Sequence, residues 1–329
     1  MDKIIIPTKP KMPLNNYLLD LLSKSDGKER SVYLNNVKEQ IQEIWAELIK
    51  SNPRSLGVRK IIPERLGIHS GTIYGYKNGR KSISIQMLYQ LLVIWKEKCN
   101  KTEAELKKIW DKIYNSKFYL STHSRHQQIC LPKFLNPKLS YLVGWICGDG
   151  HLSDYGNHFI IKISEKSTNQ LKYVLRPLFK QVFNIDVPIF KIYKGGYAIQ
   201  VGCKPVFRFL NQVLKIRVGE IPELINKLDK VNKRYFLAGI FDSEGYVCKD
   251  RYRATISQAD LEFMQKLKEL FNDLGVKFNG PTTHRTKLGT WYTIRLEKKS
   301  EIVKFVNLIG SYHIDKSKKL KEMILKMNL

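Results

Sequence analysis

Tyr141-Leu142-Val143-Gly144-Trp145-Ile146-Cys147-Gly148-Asp149-Gly150 and Phe236-Leu237-Ala238-Gly239-Ile240-Phe241-Asp242-Ser243-Glu244-Gly245 are two versions of one pattern. Each is an apolar run with small residues four apart, and each ends in a carboxylate followed by Gly. Small residues at that spacing fall on one helix face and leave a smooth stripe against which a second backbone can lie. Leu142, Val143 and Ile146, and in the second copy Leu237, Ile240 and Phe241, cover the other faces and predict that each helix packs into a core of its own. Two matching smooth helices in one chain predict that they pair about a pseudo-twofold axis.

The acids fall at the carboxyl-terminal ends of these helices, with Gly150 and Gly245 read as left-handed caps. That end is unfavourable for an anion, because the helix dipole and the second carboxylate both oppose ionisation. Two acids gathered there call for a cation, and a site of carboxylate oxygens suits Mg²⁺, or Mn²⁺, which keeps several waters and takes further ligands from phosphate. One such helix alone would read as a solvated helix end. Two at matching places read as a site built from Asp149 and Glu244.

Working outward, each motif is followed by the same series. A strand comes first (158–164; 252–257), preceded by turns. An amphipathic helix follows, with Leu171, Val174, Leu175, Leu178 and Phe179 in one copy and Leu261, Met264, Leu267, Leu270 and Phe271 in the other. Two further strands (187–193 and 197–201; 277–279 and 291–296) and a closing helix (205–214; 301–309) complete each copy. The order is read as αββαββα twice, with only one strand of each first pair placed, dividing this part into repeats at 131–225 and 226–329, and Pro177 is expected to kink the first amphipathic helix. Residues 310–329 end in a basic helix with Leu320, Met323, Ile324 and Met327 on its apolar side.

Residues 1–130 read as an all-α domain ending in a linker. Helical periodicity runs through Leu14, Tyr17, Leu18, Leu21 and Leu22 and again from Val37 to Leu48. Within 58–95, a short helix over 60–66 carries Pro63 in its first turn, Gly67 makes the turn, and His69-Ser70 cap a second helix whose inward residues are Ile68 and Ile73. Ser70, Thr72, Tyr74 and Lys77 then share an outward face suited to DNA. A support helix follows with Met87, Leu88, Leu91, Leu92 and Trp95 inward. The layout resembles the helix-turn-helix domains of the repressor and Cro type. One more helix over 101–117 precedes the linker, where His123, His126 and Cys130 lack the fourth ligand and the spacing of a metal site.

Lys and Arg number 57 against 30 Asp and Glu, a formal charge of +27 with a pI near 9.8. The excess is spread over both halves of the chain, which points to two folded modules facing a polyanion rather than to a basic tail. Five scattered cysteines without a C-x-x-C argue against a disulfide framework or zinc ribbon and for a reducing, cytoplasmic setting. There is no run long enough to cross a membrane and no signal-peptide pattern.

The paired motifs resemble those of the LAGLIDADG homing endonucleases in their single-chain, two-repeat form. Leu237 to Gly245 follows the nine-letter motif closely, with Glu244 at the eighth letter; Leu142 to Gly150 follows it with Asp149 there and departs at the sixth, where Cys147 stands for Asp. The resemblance implies an α+β fold of duplicated αββαββα units with saddle-shaped sheets, acting as a monomer on double-stranded DNA. It implies a metal-dependent double-strand break at a long site, as in intron homing, with Asp149 and Glu244 as metal ligands. It also implies Glu165 and Gln258, at the ends of strands, as residues that order water. Lys204 and Lys299, equally far downstream of the two acids, would stabilise charge near the nucleophile, with Lys298 a rival for the second place. Strand residues Lys162, Lys191, Tyr193, Arg251, Arg253, Arg285, Lys287 and Arg295 would contact DNA. The competing readings are a non-cleaving DNA-binding regulator and an intron RNA-splicing maturase on the same fold.

Overall fold

The computed structural model describes residues 5–22, 32–51, 56–122, 128–155, 158–193, 195–287 and 289–327, and the backbone alone over 56–59. His123 and His126 lie outside the described residues. The chain forms two compact units: one of Met1–Pro13, Pro132–Gly202 and Leu214–Leu329, the other of Leu14–Leu131 with Cys203–Val213.

The first of these units is organised by the two motif helices, Pro137–Asp149 and Lys230–Glu244. Each starts where its sequence dictates. Asn136 accepts the amide of Leu139 at 3.0 Å, and Asp229 accepts those of Val231 and Asn232 at 2.9 Å, supplying donors at the open end of a helix with an acceptor. The two run in the same direction in close contact. A Cβ on Gly144 would stand 2.1 Å from the carbonyl oxygen of Phe236, and one on Gly239 would stand 2.2 Å from that of Tyr141. The expected smooth stripe is therefore the seam of the unit.

The expected left-handed caps are not formed. Gly150 has φ −73° and Gly245 φ −77°, ordinary values for any residue. Glycine is needed there for space instead: a Cβ at either place would fall 2.4 Å from the carbonyl oxygen four residues back, that of Ile146 or Phe241. The chain leaves each helix directly into a strand, where turns were expected.

Those strands, Gly150–Tyr155 and Gly245–Cys248, form the edges of two antiparallel four-stranded sheets. The first sheet runs Gly150–Tyr155, His158–Glu165, Tyr197–Gly202, Ile189–Lys191; the second runs Gly245–Cys248, Arg253–Gln258, Gly289–Leu296, Asn279–Thr286. The registers match, since Gly150 stands opposite Ile163 and Gly245 opposite Ile256. Ile161, Ile163, Ile199 and Val201 bury one face of the first sheet; Val247, Ala254, Ile256, Ile294 and Leu296 bury the corresponding face of the second. The amphipathic helices supply Phe179, Phe183, Phe263 and Phe271 to these cores. In the first repeat that helix passes through π-type turns at Leu171–Leu175 directly before Arg176–Phe183; Pro177 has no N–H to give to Tyr173, and the wider turn accommodates the loss. Its counterpart, Leu261–Asp273, is regular.

Lys299–Leu308 closes the second repeat, and a last helix, Ile314–Lys326, follows. The closing segment of the first repeat, Lys204–Arg208 continuing as π-type turns through Val213, belongs by its contacts to the other unit. There the Arg208 guanidinium, fully buried, donates to the carbonyl of Leu21 at 2.7 Å.

The amino-terminal unit is chiefly helical, with helices Lys38–Ser51, Leu56–Arg65, Ser70–Lys77, Ile85–Cys99 and Glu103–Asn115. It also holds a small three-stranded sheet of Ile83–Ser84, Tyr33–Asn35 and Tyr119–Ser121, so it is not purely α. Two local readings differ from the structure. Residues 14–22 form only a short 3-10 turn at Leu19–Leu21, although Tyr17, Leu18 and Leu21 are buried; the periodicity marks burial rather than helix. Leu56–Arg65 starts before Lys60, so Pro63 lies inside the helix rather than in its first turn.

Candidate active site

Because the motif helices run in parallel, their carboxyl-terminal ends finish side by side. A Cβ on Gly148 would stand 2.0 Å from the Ser243 hydroxyl oxygen, so the closeness persists to the last turn. Asp149 and Glu244 share a hydrogen bond. Loss of hydration, and then the charge of Asp149, push the Glu244 carboxyl up to about 8, against the pull of Gln258 and Lys316. Asp149 reaches solvent, yet the protein around it removes enough hydration to raise it too; Lys316 opposes this and Glu165 adds to it. Each acid therefore holds a proton more tightly than a solvated carboxyl does.

The strands supply the polar surroundings. Gln258 ends its strand with the parity of Ala254 and Ile256, which carries its side chain to the helix side, where Nε2 donates to Glu244 Oε1 at 2.9 Å. Glu165 ends the matching strand with the parity of Ile161 and Ile163. Its Oε1 accepts the Lys166 amide at 2.7 Å and its Oε2 faces His313 Nε2 at 3.3 Å. His313 Nδ1 accepts the amides of Asp315 and Lys316 at 3.2 and 3.4 Å, so the ring proton lies on Nε2 and points at Glu165. Burial works to raise Glu165, but His313 outweighs it and the carboxyl is held low.

Three residues that the sequence reading did not single out complete the site. His313 caps the last helix and stacks on Trp145, ring centroids 6.1 Å apart and planes within 9°. Asp242, fully buried, accepts from the Tyr141 hydroxyl at 2.8 Å, from the Tyr312 amide at 2.7 Å and from the Ser311 hydroxyl. Lys316 sends Nζ to the carbonyls of Phe241, Asp242 and Ser243. Burial lowers this ammonium, and Asp242, Glu165, Asp149 and Glu244 hold it up. One sequence signal marked it: Lys316, Leu320, Met323 and Met327 recur at helical spacing, and the last three are buried, so a lysine stands on the apolar stripe.

The two expected lysines each begin a helix. Lys299 is exposed at the start of its helix, with Nζ over the Tyr252 ring at 5.7 Å. Lys204 begins its helix in the other compact unit. Of the expected DNA contacts, Lys162, Arg253 and Arg295 leave the sheets on the face away from the core, with Tyr246, Thr255, Thr293 and Trp291. Arg253 pairs with Glu297 at 2.7 Å. Lys191 and Arg285 have the opposite parity, sharing the register of Ile199 and Ile294. Tyr193 (95% exposed), Arg251 and Lys287 lie beyond or between strands. In the amino-terminal unit, Gly67 (φ +60°) turns the chain between two helices, His69 caps the second by accepting the Gly71 amide at 3.1 Å, and Ile73 is buried. Ser70 and Tyr74 are exposed on that helix, Thr72 and Lys77 half-exposed, and Ile68 is only half-buried.

The donor set fits a hard divalent cation. Asp149 and Glu244 offer carboxylate oxygens alone. Among the described residues no group of three or more His, Cys, Asp or Glu is placed to hold a metal ion. All five cysteines are free. No helix among the described residues is long and apolar enough to cross a membrane.

Residues 232–310 match the family model described as a LAGLIDADG-like domain. The chain is 22% identical over 196 residues to homing endonuclease I-ApeI of Aeropyrum pernix, covering 56% of this chain and 86% of that protein. It is 24% identical over 204 residues to a glutamine–fructose-6-phosphate aminotransferase of Methanocaldococcus jannaschii, covering 60% of this chain but only 18% of that protein. The crystal structure of I-DmoI in complex with DNA and Mn is 22% identical, covers 54% of this chain and 98% of its own, and has a TM-score of 0.42. Two αββαββα repeats in matching register, an acid closing each motif helix and the match over residues 232–310 make this chain similar to LAGLIDADG-like proteins, among them the homing endonuclease I-ApeI.

Proposed function

We propose that this chain is a DNA endonuclease that makes a divalent-metal-dependent double-strand break at a long site. One observation carries the reading: parallel motif helices deliver Asp149 and Glu244 into contact at their carboxyl-terminal ends, where lost hydration and the charge of Asp149 push Glu244 up to about 8 although Lys316 stands nearby. Similarity to I-ApeI, named a homing endonuclease, supports it.

Asp149 and Glu244 would hold the metal, Mg²⁺ or Mn²⁺, which when bound would supply an activated water and neutralise charge on the phosphate. The rest falls to the chain. Burial makes both acids hold protons more tightly, and these would be displaced by a bound cation. Gln258 steadies Glu244 through one oxygen and leaves the other free. Glu165, oriented by His313, lies near Asp149 and can hold a water there. Lys162, Arg253 and Arg295 meet phosphates and groove edges, and the exposed rings of Tyr246 and Trp291 pack against the duplex. Ser70, Thr72, Tyr74 and Lys77 form a second DNA contact in the amino-terminal unit, lengthening the recognised sequence. Lys299, exposed at the start of its helix, contributes charge toward DNA.

The test is a supercoiled plasmid carrying the uninterrupted sequence from which this reading frame's insertion would have been excluded, incubated with the protein in Mg²⁺ or in EDTA. Linear product in Mg²⁺ only, abolished by Asp149→Asn and by Glu244→Gln, is expected. Tight binding without linearisation, unaffected by either substitution, would establish a non-cleaving regulator instead. Binding of intron RNA without any DNA cleavage would establish a maturase.

A further inference from the structure

The two motif helices end differently. In the last turn of the first, the carbonyl of Cys147 accepts a neutral backbone N–H, that of Gly219, at 2.8 Å. In the last turn of the second, the carbonyls of Phe241, Asp242 and Ser243 converge on the ammonium of Lys316, at 3.2, 2.7 and 3.2 Å. Glu244 thus follows a helix end closed by a full positive charge, and Asp149 one closed by an amide. A cation at the carboxyl-terminal end of a helix offsets its partial negative charge and satisfies carbonyls that have no partner within the helix.

The placement of Lys316 is specified by its surroundings. His313 caps its helix and is held by Trp145 and Glu165. The Ile314 amide donates to Gln170 Oε1 at 3.1 Å, and Ser311 and Tyr312 are bound by Asp242. Leu320, Met323 and Met327 bury the same helix face that presents Lys316. This segment begins where the match to the LAGLIDADG-like domain stops, at residue 310, so the ammonium comes from beyond the matched region.

We propose that Lys316 is a positioning residue for Glu244, a built-in cation that closes the second motif helix, fixes its last turn and makes the two acids inequivalent. Its catalytic consequence rests on the endonuclease reading; its structural consequence does not. The segment from Ser311 to Lys316 is then part of the site's frame, reaching residues of both motif helices and Glu165 of the first sheet.

The full chain is compared with Lys316→Met, Lys316→Gln and Lys316→Arg. Met removes charge and hydrogen bonds; Gln keeps N–H donors without charge; Arg keeps both. Hydrogen exchange on metal-free protein is the readout that needs no cleavage. Expected is about tenfold faster exchange over 242–246 in Lys316→Met, no change over 147–151, and protection restored by Arg. If Met prevents folding, Gln shows the same local loss in weaker form. On the plasmid, one strand is cut about 10–100-fold more slowly, as is usual for loss of a group supporting a metal ligand. Nicked circles then accumulate, DNA affinity in Ca²⁺ is unchanged, and Arg restores more than Gln. Unchanged exchange, equal loss at both helix ends, or equal slowing of both strands without rescue by Arg would overturn the proposal. If the unsubstituted protein cuts nothing, the endonuclease reading falls and the exchange result alone decides Lys316.

Discussion

At Glu244 the physics has a sign that can be checked. Its carboxyl is raised from the ordinary 4.5 to about 8, first by lost hydration and then by Asp149. A raised folded value means that the folded chain keeps a proton which the unfolded chain releases. The resulting stability is complete below about pH 4 and is lost as pH climbs through about 8. In EDTA, thermal unfolding should therefore fall by a few degrees between pH 5.5 and 8.5 beyond the trend of Glu244→Gln, which has no such proton. Parallel curves for the two proteins would contradict this. Asp242 predicts a different outcome. It is buried and accepts three hydrogen bonds, from Tyr141, Ser311 and Tyr312. Removing a buried acceptor strands its donors at about 1–3 kcal/mol each. Asp242→Ala should cost at least about 3 kcal/mol in urea unfolding, on that count, and Asp242→Asn less. The corresponding letter of the first motif, Cys147, is buried as a thiol. Among the described residues no donor reaches the Cys147 side chain, whereas three reach Asp242.

The helices and the site were legible in the sequence to different degrees. Asp149, Glu244 and the smooth stripes are local patterns, and the structure returns them as the seam and the acidic pair. Glu165 and Gln258 were legible only through the resemblance, as polar residues at the ends of strands. Two strands escaped notice because Gly150 and Gly245 read as helix caps, whereas glycine there only avoids a clash with the carbonyl four residues back. Lys316 and His313 escaped because their partners are remote: Lys316 meets Asp242 across 74 positions and His313 meets Glu165 across 148. A lysine on an apolar stripe was the visible signal, and basic composition masked it. The seam carries the element-scale prediction. Gly144→Ala and Gly239→Ala each put a methyl within about 2.2 Å of a facing carbonyl oxygen, which only separation of the backbones can relieve. Overpacking of this kind costs about 1–3 kcal/mol. Since the helices also carry the acids, Mg²⁺-dependent cleavage should fall further than stability, which circular dichroism and plasmid assays measured on the same preparation will show. Activity that falls only in proportion to the folded fraction would mean that the acids tolerate separation.

Across the whole molecule the deciding quantity is charge. An excess of +27 distributed over both compact units predicts binding driven largely by release of counterions from DNA. A protein that neutralises six to ten phosphates loses about 10³–10⁵ in affinity between 50 and 200 mM salt, and comparable steepness is expected here. On the proposed function, two DNA-facing units on one chain would each raise the local concentration of the other at the duplex. Tyr74→Ala with Lys77→Glu in the helix-turn-helix should therefore weaken binding, flatten the salt slope by about one unit for the lost cation and shorten the protected footprint at one end, with the cut position unchanged. Lys162→Glu, on the outward face of the first sheet, should weaken binding and reduce cleavage while keeping the footprint's length. Nuclease protection and filter binding over a salt series distinguish these outcomes. If the helix-turn-helix substitutions alter neither footprint nor slope, the amino-terminal unit is a scaffold, and the length of the recognised site is set by the two sheets alone.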